Sequence, residues 1–328
     1  MEYRSLGNTG LKVSALGFGC GAVGGLLVRG EYPAMRRAVE RAIELGINYF
    51  DTASMYGSGQ SEANLGAILR ELGAPVLVGT KVFLDPPDLE HIGEAVIAHA
   101  EQSLRRLGRD CVDVLYFHNF LGTQQRQGGK ANAADLELVL RALQRLQAQG
   151  KTRYVGFNGL GDTEAVHQGL GLEGFDALQT CYNLLNHTGG QVAPAGFPFQ
   201  DYQQVITRAA SQGKGVVAIR ALAGGALSGS LDRHPVGTAK VGPISTSPDY
   251  AADVARARRF SFLVEEGHAS NLAEAAVRFA LGKQGISSVL VGISSLEQLE
   301  AAAQAQAKGP LPAAVLGRLE EVWKGLGT

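Results

Sequence analysis

Four side chains stand where short apolar runs stop. Asp51 closes the run 48–51, Lys81 follows Val76–Thr80, His118 follows Val112–Phe117, and Tyr56 lies five residues beyond Asp51 in the next loop. Held together, such a set has a chemical use. A free phenol has a pKa of about 10 and is a poor acid at neutral pH. A nearby ammonium favours the phenolate and lowers that value; Lys81 can take that part, and Asp51 can hold Lys81 charged and in place. His118 can hydrogen-bond a substrate carbonyl and orient it. The set suits proton transfer to an oxygen that gains negative charge, as when a carbonyl is reduced. Taken singly, each residue has an ordinary reading: a strand-end Lys or Asp makes a salt bridge, a loop Tyr sits on a rim, and a His is a satisfied polar group. Their recurrence at successive strand ends is what favours function.

The elements that must position them follow a strand-then-helix rhythm. Strand candidates are Ala15–Gly19, Asn48–Asp51, Val76–Thr80, Val112–Phe117, Tyr154–Phe157, Ala177–Gln179, Gly215–Ile219 and Ser288–Val291. They are short and apolar, as strands buried on both faces should be. Helical spacing fills the intervals: Pro33–Leu45, Ser61–Leu72, Leu89–Leu107, Ala134–Gln149, Thr163–Leu170, Gln203–Gln212, Ser270–Leu281 and Leu296–Ala307, with a last helix over Leu311–Lys324. An opening hairpin is expected, Tyr3-Arg4 and Lys12-Val13 flanking Gly7-Asn8-Thr9-Gly10. Eight units without a break in composition predict an α/β fold, a single (β/α)8 TIM barrel with an N-terminal β-hairpin and a C-terminal helix, covering residues 1–328 as one domain. The competing architecture is an open doubly wound sheet. It is disfavoured by the even repeat and by Gly17-Phe18-Gly19-Cys20-Gly21, which lacks the dinucleotide-fingerprint spacing. Two segments break the rhythm, Asn119–Asn132 after strand four and Ala223–Tyr250 after strand seven. Both leave the strand ends where barrel active sites form, so both are expected to be functional loops.

Composition narrows the class. Of 328 residues, 45% are hydrophobic and 19% charged, and the net charge of -1 gives no footprint for nucleic acid or an anionic membrane. Cys20, Cys111 and Cys181 are isolated, odd in number and without metal-ligand spacing, which predicts free thiols in a reducing compartment and no metal. The N-terminus MEYRSLGNTG lacks the apolar core of a signal peptide, and no apolar run is long enough to span a bilayer, so a cytoplasmic protein is expected.

The segment GINYFDTASMYGSGQSEANLG resembles the aldo-keto reductase signature, with Asp and Tyr at this spacing beside a downstream Gly-x-x-Glu. VGTKV is similar to that family's lysine strand and VDVLYFHN to its histidine strand. YRSLGNTGLKVSALGFG, LQTCYNLLN, ALAGGALSG and VGISSLEQLE extend the likeness over nearly the whole chain. The resemblance implies that Asp51, Tyr56, Lys81 and His118 form a catalytic tetrad with Tyr56 as general acid, reducing an aldehyde or ketone with a nicotinamide cofactor. It also places that cofactor. Asn158, standing where the family has Ser-Asn, and Gln179 would hold the carboxamide, and Ile219 takes the place of the stacking aromatic. Arg220, Ala221, Leu222 and Gly224 follow it along the cofactor. After strand eight, Gly292, Ser294, Ser295 and Gln298 would meet the adenosine phosphate, Ser294 and Ser295 serving equally well as helix caps. No Lys or Arg stands there to grip a 2′-phosphate, so NADP(H) is implied by the likeness, with NAD(H) as the alternative. Expected pocket walls are Val23, Met55, Phe83, Asn119 and Phe120, with no C-terminal tail to close over them. The partner is a small carbonyl compound, and the oligomeric state is open. Two other readings stand beside this one: a redox-neutral or oxidative enzyme on sugars, and a cofactor-binding regulatory subunit of the same fold.

Overall fold

The run Val112–Phe117 is buried at every position, as are Tyr49–Asp51 and Ala177–Cys181. Strands enclosed between an inner core and an outer layer of helices have no solvent face, so alternation of polar and apolar residues disappears. The structure, a computed structural model, describes residues 1–124 and 129–326. Its strands are β1 (Tyr3–Ser5), β2 (Lys12–Ser14), β3 (Leu16–Gly19), β4 (Tyr49–Asp51), β5 (Leu77–Val82), β6 (Val112–Phe117), β7 (Thr152–Asn158), β8 (Ala177–Cys181), β9 (Gly215–Ile219) and β10 (Ser288–Gly292). Strands β3 to β10 close into a parallel barrel in sequence order, β10 pairing with both β9 and β3. Closure excludes the open sheet.

The expected hairpin forms, with Tyr3 opposite Ser14 and Ser5 opposite Lys12. It plugs one end of the barrel: Leu6, Leu11 and Val13 join Tyr49, Val114, Tyr116 and Leu290 in a second, inner core. Its turn presses on the connection before β9. Gly7 has φ 51, and a Cβ there would stand 2.3 Å from the Gly213 carbonyl oxygen, so only glycine fits.

The helices are α1 (Leu26–Arg29), α2 (Tyr32–Glu44), α3 (Gln60–Leu72), α4 (Ile92–Leu107), α5 (Ala133–Ala148), α6 (Thr163–Gly171), α7 (Val205–Ser211), α8 (Tyr250–Ala257), α9 (Phe262–Glu265), α10 (Leu272–Leu281), α11 (Leu296–Ala307) and α12 (Leu316–Gly325). Their apolar stripes and the outer faces of the strands make the main core. Local chemistry sets the ends. Gly73 and Gly108 take the left-handed conformation after α3 and α4, and Asn132 and Asp135 exchange capping bonds at the start of α5. Left-handed Gln203 and Gln204 (φ 50 and 57) delay α7 to Val205, past the expected start. A short 3-10 turn over Pro86–Glu90 precedes α4 in the same way. Helices α8 and α9 lie between the end of the expected loop Ala223–Tyr250 and α10, where no helix is expected from the sequence. No helix among the described residues is long and apolar enough to cross a membrane.

Helix α12 is fastened by an aromatic stack. The Trp323 indole N–H donates to the Leu184 carbonyl at 2.8 Å, and the His187 ring lies 3.7 Å from the Trp323 ring, nearly parallel. His187 is 1% exposed and its Nδ1 has no partner among the described residues. Burial, only partly offset by the backbone at Val192, lowers its pKa from 6.5 to about 4. The unfolded chain therefore takes up a proton that the folded chain refuses, and stability falls as pH drops from 6.5 to about 4. The loss from this group is up to about 3 kcal/mol. His187→Phe keeps the stack and removes the titration. Its urea midpoint should fall less steeply over that pH window than that of the parent protein, and equal slopes would show that His187 does not titrate as a buried group.

Candidate active site

Strands β4 and β5 are neighbours, with Asp51 opposite Gly79 and Lys81 two residues further along β5. The Lys81 ammonium forms an ion pair with Asp51 Oδ1 and donates to the Thr52 carbonyl at 2.7 Å. Both residues are buried, at 1% and 2% exposure. Burial pushes the Lys81 pKa down, but Asp51 and Tyr56 outweigh it and hold the ammonium above its usual value. We take the pair as ionised, because the ammonium meets a carboxylate and a carbonyl, both acceptors. Glu62 on α3, fully buried, accepts from Thr80 at 2.5 Å and from Arg106 at 2.6 Å, bracing the residue before Lys81.

Tyr56 stands in the turn between β4 and α3, a turn completed by left-handed Gly57, Ser58 and Gly59. The Lys81 Nζ lies 4.9 Å from the Tyr56 ring centroid. His118 follows β6, its backbone N–H donating to Val82 at 2.8 Å, and its ring meets the Tyr56 ring edge-on at 5.8 Å. Burial, aided by the Lys81 charge, holds His118 well below its usual pKa, so the imidazole is neutral. The expected lowering of the Tyr56 phenol is reversed in the net. Burial pushes the phenol up by more than the Lys81 charge pulls it down, so Tyr56 stays protonated at neutral pH.

Beside this cluster, Asn158 and Gln179 are register partners on β7 and β8. The Gln179 amide donates to Asp51 Oδ2 at 2.5 Å; that of Asn158 donates to the His118 carbonyl at 3.4 Å. The side-chain oxygens of both are buried without a partner among the described residues. Each unmet buried acceptor costs about 1–3 kcal/mol, and the two together fit the two N–H groups of a primary carboxamide. Both residues line a cavity of about 580 Å³ that starts at Asp51, Tyr56 and His118 and reaches faces of α10 and α11.

The same cavity is lined by Ile219, Arg220, Ala221, Leu222, Gly224, Gly292, Ser294 and Gln298. Ser295 is not among its walls; it caps α11, accepting from the Gln298 backbone. Ser294 and Gln298 are already engaged: the Ser294 hydroxyl donates to Gly24 at 2.6 Å, and its backbone N–H donates to Gln298 Oε1 at 2.9 Å. Gly24 permits that approach, since a Cβ there would lie 2.5 Å from the Ile293 nitrogen. Of the expected pocket walls, Val23 and Phe120 line the cavity, whereas Met55, Phe83 and Asn119 do not. Met55 is half exposed on the rim. The Phe83 carbonyl meets His99 at 2.8 Å. Asn119 is fully buried, and its amide binds both the N–H and the carbonyl of Leu84 at 2.9 and 2.7 Å, a bracing role. Within the loop 119–132, residues 125–128 lie outside the described residues.

Sequence reasoning missed the residues that clasp the cavity. Arg233 donates to the carbonyls of Gly224 and Thr238 at 2.9 and 2.7 Å, and Thr238 donates through its hydroxyl to Ala22 at 2.7 Å. The segment after β9 is thereby tied to the loop after β3. Its length marked it as functional, but an irregular loop carries no periodicity that could single out Arg233. At the far end Lys308 and Glu274 form an ion pair at 2.7 Å.

Three comparisons bear on this geometry. Residues 15–324 match the model of the aldo/keto reductase family. L-galactose dehydrogenase of Arabidopsis thaliana is 30% identical over 312 residues, covering 92% of this chain and 86% of that protein. Pyridoxal 4-dehydrogenase of Microbacterium luteolum is 29% identical, covering 91% of each. In fold, the chain is similar to an aldo-keto reductase of Bacillus halodurans solved in its holo form, with a TM-score of 0.70, 24% identity, and coverage of 98% and 96%.

Removing one member of a buried ion pair leaves the other uncompensated, which costs about 3–5 kcal/mol. Lys81→Met should lose about that much in urea unfolding at neutral pH. The double change Asp51→Asn with Lys81→Met should lose less than the sum of the two singles, because the residues are in contact. Additive losses would mean that the two charges do not depend on each other.

Proposed function

Since the chain belongs to the aldo/keto reductase family, an oxidoreductase family that uses nicotinamide cofactors, we propose that it interconverts a carbonyl compound and its alcohol, with Tyr56 moving the proton. The observation that carries the reading is Lys81, ion-paired to Asp51 on one side and 4.9 Å from the Tyr56 ring on the other, beside two unpartnered amide oxygens.

A nicotinamide bound against Asn158 and Gln179 would supply or accept the hydride. The protein's own groups do the rest. His118, neutral, hydrogen-bonds the carbonyl oxygen and holds it toward Tyr56. The phenol donates its proton to that oxygen as negative charge develops, and the fixed Lys81 ammonium stabilises the phenolate left behind without reorganising. Asp51 keeps Lys81 in position. Val23 and Phe120 offer apolar surface at the mouth for the substrate.

The reverse direction has support in the relatives' names, a sugar dehydrogenase and a pyridoxal dehydrogenase. The same groups then run backwards, Tyr56 accepting the alcohol proton. A purely regulatory subunit would bind cofactor and turn over neither substrate class.

At the adenosine end we favour NAD(H) over the NADP(H) implied by the resemblance. Ser294 is already bonded to Gly24 and Gln298, Ser295 caps α11, and Glu297 is the charged residue of that first turn. A 2′-phosphate gains most from charge-assisted contacts to Arg or Lys, which that turn lacks.

Tyr56→Phe should keep its melting temperature and cofactor affinity and lose about 10²–10⁴-fold in turnover, the range of general acid catalysis. Parent-like turnover of an aldehyde panel would end the assignment. For the cofactor, NADH should bind more tightly than NADPH in fluorescence titration at one ionic strength. Gln298→Arg should strengthen NADPH binding about tenfold, as a new charged hydrogen bond would. Tighter NADPH binding by the parent protein would restore the phosphorylated cofactor.

A further inference from the structure

Gln179 is fully buried, and its two amide ends have different surroundings. The nitrogen donates to Asp51 Oδ2 at 2.5 Å, the carboxylate oxygen that Lys81 leaves free. The oxygen has no partner among the described residues, and the residue lines the cavity. Asn158, its register partner, differs in one respect: among the described residues its nitrogen meets only a backbone carbonyl, that of His118, at 3.4 Å. One amide therefore touches an ionised group and the other does not.

We infer that Gln179 is a positioning residue that carries occupation of the carboxamide site to the Asp51–Lys81 pair, through one planar amide with an end in each. The inference rests on the nicotinamide reading above. An amide whose oxygen accepts an N–H becomes a stronger donor through its nitrogen, because hydrogen bonds in series polarise one another. Occupation of the cavity thus tightens the hold on Asp51, fixes the carboxylate against Lys81, and steadies the ammonium beneath Tyr56. The coupling is reciprocal: an ionised Asp51 keeps the Gln179 amide turned with its nitrogen toward the carboxylate and its oxygen left to accept, so loss of that charge weakens cofactor binding. Asn158 contributes affinity alone.

The test is a binding cycle read by fluorescence of the reduced dinucleotide, without turnover. Gln179→Met and Asn158→Leu should each weaken binding about tenfold, as loss of one hydrogen bond near 1.4 kcal/mol does. Asp51→Asn should weaken it about fivefold in the parent protein, a typical coupling, and as much in the Asn158→Leu background. In the Gln179→Met background the same change should matter by less than about twofold, the limit for independent sites. An equal effect of Asp51→Asn in all three backgrounds would overturn the coupling. A second arm needs no change at Asp51. At saturating cofactor, with melting temperature unchanged, Gln179→Met should lower kcat for an aldehyde the parent protein reduces by about tenfold or more. Full kcat in Gln179→Met would overturn the inference even if Asp51→Asn fails to fold. Absence of any binding of reduced dinucleotide by the parent protein would bring down the nicotinamide reading, and this inference with it.

Discussion

A lysine ammonium taken out of water loses several kcal/mol of hydration, and so does an aspartate carboxylate. Lys81 and Asp51 are both buried in the barrel mouth, so each is tolerable there only because the other is present. Much of the surrounding structure can be understood as holding that pair. Gln179 donates to the second Asp51 oxygen, the Thr52 carbonyl accepts from the ammonium, and Glu62, itself buried, braces Thr80 on the same strand. With those contacts made, the pair presents a fixed positive charge beneath a phenol.

That charge does not make Tyr56 acidic in the protein as it stands. Burial raises the phenol more than Lys81 lowers it. A group proposed to give up a proton at neutral pH must first hold one, and the balance keeps it protonated. On the proposed reading, the benefit of Lys81 would fall on the phenolate formed during proton transfer, where a preorganised charge counts most. His118 is subject to the same logic: burial keeps it neutral, so on the proposed reading it would orient an oxygen without adding a second cation beside Lys81.

The rest of the cavity is assembled by loops that approach one another closely. Gly24 lets the loop after β3 meet the end of β10, and Arg233 and Thr238 tie the long segment after β9 to that same loop. Arg220 is held in a left-handed conformation by Asn183, which donates to its carbonyl at 3.0 Å. Backbone strain of this kind persists where surrounding bonds over-determine it, as they do around binding sites.

What the sequence determined by itself is the repeating part. Eight short apolar runs, each followed by an amphipathic stretch, specify parallel strands covered by helices, because no other arrangement buries both. Asp51, Lys81 and His118 could be picked out since each ends or follows such a run, and Tyr56 since it lies close beyond one. Only the tertiary structure decided what loop residues do. Asn119 and Ser295 have the right types and places for a pocket, yet one braces Leu84 and the other caps α11. Arg233 clasps the cavity from a segment without periodicity. Gln179 could be assigned to a cofactor by resemblance, but its bond to Asp51 joins residues 128 positions apart in the chain. Local spacing encodes burial and periodicity, which are properties of neighbours in sequence. Which polar atom finds which partner depends on barrel closure bringing distant strand ends within hydrogen-bond reach, and on the partners each atom has left when it arrives.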